Sequence, residues 1–245
     1  MTKSPVALIT GVSRAMGMGY ETARQLARQG YHVIITAREP TQAEELAHQL
    51  QQEGLAVTAQ QLDVCSDDSA AQLAAAVARQ AGRLDVLINN AAVMLPAEDP
   101  AAPVDLSEAQ RRFDANLFGP WRVVQALLPL LRQSPHGRIV NVSSGMGSFA
   151  DPVWGLTDSK QPTASVYALT KLALNGLTAK LAKDLRADHI LVNSVCPGFV
   201  ATQPDFAEYG ARPVPEGAAG IVWAATLPDD GPTGGFFRDG QPLGW

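Results

Sequence analysis

Short β-rich runs and longer helical stretches alternate along the whole chain. Strands are expected over 6–10, 32–37, 56–63, 84–90, 138–143 and 190–195. Most are apolar at nearly every position, as parallel strands covered on both faces must be. Between them, helices are expected over 20–29, 41–53, 66–81, 107–131 and 166–186. Thr41 with Glu44, and Ser107 with Gln110, have capping-box spacing, and Gly30 and Gly54 fall where helices should end. Strand–helix–strand crossovers are right-handed, so the economical architecture is α/β, a doubly wound parallel sheet with helices on both faces. No linker or break in composition divides the 245 residues, and a single domain is expected over 1–245.

Composition removes other classes. A net charge of −5 argues against a nucleic-acid partner or an anionic membrane surface. The first apolar run, 6–9, is too short for a signal sequence or a membrane span and is soon broken by Gly11. A cytoplasmic location is therefore expected. Cys65 and Cys196 have no metal or redox spacing and read as buried small hydrophobes of a reduced compartment. His32, His48, His136 and His189 form no cluster, so no metal is expected.

After the first strand comes Thr10-Gly11-Val12-Ser13-Arg14-Ala15-Met16-Gly17-Met18-Gly19, then a helix. Glycines in such a turn let backbone approach a pyrophosphate, whose charge the helix N-terminus favours. Alone this is a weak signal. The turn is similar to the Thr-Gly-x-x-x-Gly-x-Gly signature of short-chain dehydrogenases/reductases, with a departure. Five residues rather than three separate Gly11 from Gly17 if Gly17 and Gly19 open the helix; keeping the family's spacing would put Ala15 where the middle glycine belongs. The two-residue insertion is preferred, because Gly19 then lies at the right distance from Gly30. A Rossmann-type sheet is what the resemblance implies.

The second strand ends Thr36-Ala37-Arg38, with no carboxylate to accept ribose hydroxyls. Arg38, with Arg14 in the glycine turn, reads as a bidentate site for a 2′-phosphate and so for NADP(H); two solvated surface arginines are the bland alternative. Asp63 and Val64 resemble the family's pair beside the adenine, though Asp63 is also a plausible helix-entry carboxylate. Asn89-Asn90-Ala91-Ala92 resembles its Asn-Asn-Ala-Gly strand end. Cofactor contacts are accordingly expected from Gly11, Ser13, Arg14, Gly17, Met18, Gly19, Arg38, Asp63, Val64, Asn90, Ala91 and Ala92.

Tyr167 and Lys171 stand four apart on a helix, hence on one face. Such a pair is common by chance, but it follows the 138–143 strand, which a serine pair, Ser143-Ser144, closes. By resemblance to the family, Asn116, Ser144, Tyr167 and Lys171 form a catalytic tetrad. The likeness continues through Asn193-Ser194-Val195-Cys196-Pro197-Gly198, adding Pro197, Gly198, Val200 and Thr202 to the cofactor contacts, Thr202 at the carboxamide. The chemistry asks for such groups: hydride delivery to a ketone builds charge on oxygen, which a donor must hold and an acid must protonate. Ser144 would donate, Tyr167 would be the acid, and Lys171 would hold the nicotinamide ribose and lower the phenol's pKa. Asn116 would support a water relay, its rival reading being a mid-helix amide that satisfies backbone. Ser143 is the rival to Ser144. The cofactor half would cover about 1–137 and the catalytic and substrate half about 138–245.

The segments 17–26, 137–148 and 227–245 look most like the carbonyl-reductase branch of the family. That branch implies NADPH-dependent reduction of a ketone, aldehyde or quinone. The pocket should draw on 94–104, 145–165 and 199–213, whose Phe149, Trp154, Phe199, Phe206 and Tyr209 suggest an apolar, aromatic-lined site for a small carbonyl compound. Aromatics packing on one another is the alternative. Two other functions stay open: an alcohol or sugar dehydrogenase working as an oxidant, and a non-catalytic NADP-binding redox sensor, which would not need the tetrad. A monomer is expected, with a homodimer as the alternative, because the long stretch from Ser144 to Tyr167 can cover the helix through which many relatives pair.

Overall fold

The computed structural model describes residues 4–94, 101, 104–157 and 164–245. Eight strands in these residues form one sheet in the order β3-β2-β1-β4-β5-β6-β7-β8. They are β1 (Val6–Ile9), β2 (His32–Ala37), β3 (Val57–Gln61), β4 (Val86–Asn89), β5 (Arg138–Val142), β6 (Leu191–Val195), β7 (Phe236–Arg238) and β8 (Gln241–Pro242). All neighbouring pairs are parallel except β7 with β8, which is antiparallel. The helices are α1 (Met18–Arg28), α2 (Pro40–Gln52), α3 (Asp67–Gln80), α4 (Leu106–Phe113), α5 (Gly119–Leu131), α6 (Ser165–Asp184) and α7 (Val214–Ala225).

Alternation along the strands explains their mostly apolar sequence. Ala7, Ile9, Val33, Ile35, Val86 and Ile88 enter one core, with residues of α1, α2 and α7. Val6, Leu8, Ile34, Leu87, Ile139 and Val192 enter the other, with residues of α3, α5 and α6. Both faces of the central strands are covered, so apolar residues are called for on each side. A buried polar chain crosses the middle of the sheet. Asn89 donates to Asn141 Oδ1 at 2.8 Å, Asn141 donates to Thr178 Oγ1 at 2.8 Å, and Thr178 meets Ser194 Oγ at 2.8 Å.

Several local expectations are corrected. The helix over 107–131 is two helices joined by a π-helical turn, Asp114–Phe118. The Thr41–Glu44 capping box is absent: α2 begins at Pro40 with Glu39 as an N-cap whose side chain makes no cap bond. Proline, lacking an N–H, fits that first position. At α4 the cap is Asp105, which accepts from the Ser107 and Glu108 N–H groups, and not Ser107. Helix α7 and the hairpin β7–β8 were not anticipated. Gly30 and Gly54 do end their helices, with φ of 88° and 79°. Cys196 is buried, but Cys65 is exposed, since it sits on the turn after β3 and not inside the strand. No helix among the described residues is long and apolar enough to cross a membrane.

Candidate active site

Two regions of the sheet's carboxyl edge carry the expected residues. The first is the β1–α1 turn. Gly11 has φ of 71°, and a Cβ there would lie 2.6 Å from the Cα of Ala91, so only glycine lets this turn pass the end of β4. Thr10 Oγ1 accepts from the N–H groups of Asn90 and Ala91, each at 3.0 Å. Asn90 Nδ2 donates back to Thr10 O at 2.8 Å and Gly11 O at 3.2 Å. Asn90 therefore braces the turn with its side chain, while Ala91 and Ala92 leave short side chains beside it. The inserted residues form a surface turn closed by Gly17 N–H on Arg14 O at 3.0 Å. Helix α1 then starts at Met18, with Gly17 as its N-cap and Gly19 in its first turn.

The region suits a dinucleotide. Gly17 is the N-cap of α1 and no side chain caps that helix's first N–H groups. These donors and the positive helix end are left for an anion. Ser13, Arg14 and Arg38 are exposed at this edge, and Val12 N–H, bonded to Thr36 O at 2.7 Å, holds the turn against the end of β2. Asp63 Oδ1 accepts from Cys65 N–H at 3.0 Å, which makes it the brace of the turn before α3; the cap of α3 itself is Ser66. Val64, half-buried, packs beneath that turn with its carbonyl bonded to Arg122.

The second region lies at the end of β5. The two serines diverge. Ser143 is buried, with its hydroxyl 3.5 Å from Lys171 O. Ser144 accepts from Met146 N–H at 3.2 Å, and its hydroxyl is near enough to the Tyr167 phenol to favour the phenol's ionised form. The following 3-10 turn, Gly145–Gly147, lies on α6 so closely that a Cβ at Gly147 would sit 2.6 Å from Leu172 N. Lys171 is buried, donates from Nζ to Val142 O at 2.8 Å, and holds that ammonium 5.5 Å from the centroid of the Tyr167 ring. Asn116, wholly buried on the π-helical turn, accepts from Val93 N–H at 2.7 Å. It donates to Val93 O at 3.0 Å and to Thr170 Oγ1 at 3.1 Å. Its bonds run to backbone and to α6, the arrangement its rival reading describes.

Electrostatics depart from expectation. Burial lowers Lys171 to about 8. The Tyr167 phenol is raised, first by burial and then by the field of Cys196, while Ser144 opposes the rise. Lys171, whose ammonium donates to Val142 O, is not among the groups that move it. In the chain by itself the phenol keeps its proton at neutral pH.

Gly198 has φ of 79°, and Pro197 and Val200 are buried behind it. Thr202 lies just beyond, its N–H on Val200 O at 2.8 Å. Of the aromatics, Trp154 meets Phe199 at 5.8 Å between centroids and Phe199 meets Phe206 at 5.3 Å. Phe149 and Tyr209 are 61% and 74% exposed and belong to no such cluster. Most of 94–104 and part of 145–165 lie outside the described residues. Sequence reasoning missed three members of the neighbourhood. Cys196 Sγ accepts from Gly145 N–H at 3.1 Å, and Asp151 and Arg238 form an ion pair beside it.

The short chain dehydrogenase family model matches residues 5–208. The chain is 33% identical to (+)-neomenthol dehydrogenase of Arabidopsis thaliana over 290 residues, 96% of each chain. It is also 33% identical to human carbonyl reductase [NADPH] 3 over 280 residues, 99% of each. Among solved structures, it resembles the RhlG/NADP active-site complex of Pseudomonas aeruginosa at a TM-score of 0.80. That match has 28% identity and covers 96% of this chain and 95% of that one.

Proposed function

This chain belongs to the short-chain dehydrogenase family, as an oxidoreductase with a nicotinamide cofactor, and from there we propose that it reduces a ketone, aldehyde or quinone to the alcohol with NADPH. The observation that carries the proposal is the meeting of Tyr167 and Ser144 beside a buried Lys171, whose ammonium lies 5.5 Å from the centroid of the phenol ring.

When bound, NADPH supplies a hydride to the carbonyl carbon. Ser144 and Tyr167 would both donate to the carbonyl oxygen of the substrate. The developing charge on that oxygen is stabilised by the two donors, and Tyr167 passes its proton to it. A phenol that is protonated at neutral pH is in the form that can donate to a carbonyl oxygen. Lys171 holds the nicotinamide ribose, and Asn116 keeps the β4 end and α6 in register around Tyr167. The glycine turn and the uncapped start of α1 hold the pyrophosphate, while Arg14 and Arg38 hold the 2′-phosphate. We place the cofactor half at about 1–137, the catalytic half at 138–245, and the protein in the cytoplasm. As to assembly, Leu106, Phe118 and Trp121 are 70%, 48% and 41% exposed on α4, the π turn and α5, which lends weight to the homodimer alternative over the monomer. Light scattering at micromolar protein separates the two.

The direct test is a panel of carbonyl compounds followed by NADPH absorbance, beside the matching alcohols with NADP⁺. Faster turnover of the alcohols would transfer the assignment to the oxidant reading. Absence of turnover in both would leave the redox sensor.

A pH prediction follows from Lys171. Its charged form makes the ribose contact, so binding takes up a proton wherever the free chain has lost it. NADPH affinity should be level below pH about 8 and then weaken by up to roughly tenfold per pH unit, the slope for one proton. Fluorescence titration between neutral pH and mild alkali measures this. Lys171→Met should flatten the profile, and a flat wild-type profile would contradict the ribose role.

A further inference from the structure

The end of β7 carries two consecutive residues of opposite charge, and each reaches a different loop of the site. Arg238 turns inward. Its Nη2 pairs with Asp151, whose side chain is 0% exposed, and its Nε and Nη2 lie 3.4 and 3.2 Å from Cys196 Sγ. Asp151 Oδ1 in turn accepts from Val153 N–H at 2.9 Å and Trp154 N–H at 3.0 Å. This arm thus fixes the loop that presents Trp154. Asp239 reaches the other way and accepts from Arg212 Nη1 at 2.7 Å. Arg212 closes an isolated bridge with Val200: Ala201 N–H donates to Arg212 O and Arg212 N–H to Phe199 O, both at 2.9 Å. That arm fixes the loop that presents Phe199 and Phe206.

The two loops meet through the Trp154–Phe199 contact, at 5.8 Å between centroids. Their separation is therefore set from behind, by one short hairpin. The hairpin is stiff: Asp239 and Gly240 have φ of 52° and 72°, the pair of positive values a two-residue type I′ turn requires. Its directions are not negotiable by side-chain rotation. The arms differ in strength. A buried carboxylate stripped of its cation is strongly disfavoured, so the Arg238 arm is a fixed hinge. Asp239 is 52% exposed, and an ion pair in that setting is weak and adjustable.

We propose that Arg238 and Asp239 are positioning residues, a two-armed clamp whose arms hold the Trp154 and Phe199–Phe206 loops at one spacing and so set the width of carbonyl compound admitted. The proposal rests on the carbonyl-reducing reading of the site and deepens it; neither residue touches substrate.

Asp239→Asn removes the charge and keeps a residue that tolerates left-handed backbone. Arg238→Lys keeps the inner charge and loses the forked geometry. KM and kcat are measured at saturating NADPH with benzaldehyde as the narrow probe and 2-acetylnaphthalene as the wide one. Arg238→Lys should change the ratio of kcat/KM for the two probes by between about five- and fiftyfold, the scale of a sub-ångström misplacement, and Asp239→Asn, on the weaker arm, by about two- to fivefold. NADPH affinity should fall much less than kcat/KM, since no phosphate or ribose contact is touched and only the loop that carries Val200 and Thr202 is loosened. Hydrogen exchange gives an activity-free readout. Asp239→Asn should speed exchange at the Ala201 and Arg212 amides, and Arg238→Lys at those of Val153 and Trp154. A probe ratio that stays constant, or NADPH affinity that falls in step with kcat/KM, overturns the clamp. Unchanged exchange in both loops overturns it whatever the kinetics show. If wild type oxidises no NADPH with any carbonyl while the exchange pattern appears as described, it is the carbonyl-reducing reading that fails.

Discussion

Tyr167→Phe should lower turnover by about 10²–10⁴-fold, the range for loss of a positioned acid, while NADPH binds as before. The substitution deletes one hydroxyl and leaves the ring that Lys171 Nζ approaches to 5.5 Å. Ser144 loses its phenolic neighbour but keeps its bond from Met146 N–H at 3.2 Å, so the strand end should hold its shape. One donor to the carbonyl oxygen survives and no acid remains, and the loss should appear in kcat rather than in cofactor affinity. Lys171→Ala should behave differently. It removes the ribose contact and leaves Val142 O without its 2.8 Å donor in a buried place, so both turnover and NADPH affinity should fall. Single-turnover kinetics with cofactor titration read the two effects apart. Near-wild-type reduction by the phenylalanine variant would remove Tyr167 from the chemistry.

The second large effect concerns coenzyme choice. NADPH and NADH differ by one phosphate far from the reacting carbon, so discrimination must come from the end of β2 and the glycine turn. Arg14 and Arg38 are exposed there, and Ala37 offers no carboxylate to repel the phosphate. A charge-assisted hydrogen bond contributes about 1.5–3 kcal/mol, and about 1.4 kcal/mol is a factor of ten. NADPH should therefore be preferred by roughly one to two orders of magnitude, with Glu39 moderating the figure. Arg38→Ala should weaken NADPH and leave NADH nearly untouched. The double change Ala37→Asp with Arg38→Ala should turn the preference toward NADH. Arg14 sits at the head of the inserted turn that Gly17 N–H closes. If that turn carries it away from the phosphate, Arg14→Ala will be silent and Arg38 will account for the whole preference. Equal affinity of wild type for both coenzymes would end the assignment.

The strands could be read from the sequence because both faces of the central sheet are buried, which keeps their apolar runs nearly continuous around a few buried polar residues such as Asn141 and Ser194. Helix ends were less legible. Pro40 displaced the expected cap at Thr41, and Asp105 captured the role given to Ser107, because a cap is decided by backbone geometry that spacing does not encode. Helix α7 hid behind Pro213, Pro215 and Gly217. Prolines in a first turn look like loop, and Gly217 is there because a Cβ would lie 2.6 Å from Val200 Cγ2. The hairpin β7–β8 does leave a signal, Asp239-Gly240 between short runs, both with positive φ. The pairing of Ser144 with Tyr167 was legible through motif order. The Asp151–Arg238 pair joins positions 87 apart, and no local pattern reports such a meeting.

The π-helical turn at Asp114–Phe118 has a consequence for anyone trying to make this protein sturdier. Deleting one residue there would restore regular α-helix, the kind of idealisation that usually raises melting temperature. Each residue of an α-helix advances the chain by about 100° of rotation. The shortened helix would have to turn either Asn116 away from Val93 and Thr170 or the Val123, Val124 and Leu127 side chains out of the core. Shuffled libraries selected for heat resistance alone should thus accumulate deletions at this turn that are well folded and inert, whereas libraries selected for turnover should keep its length fixed even where its side chains vary.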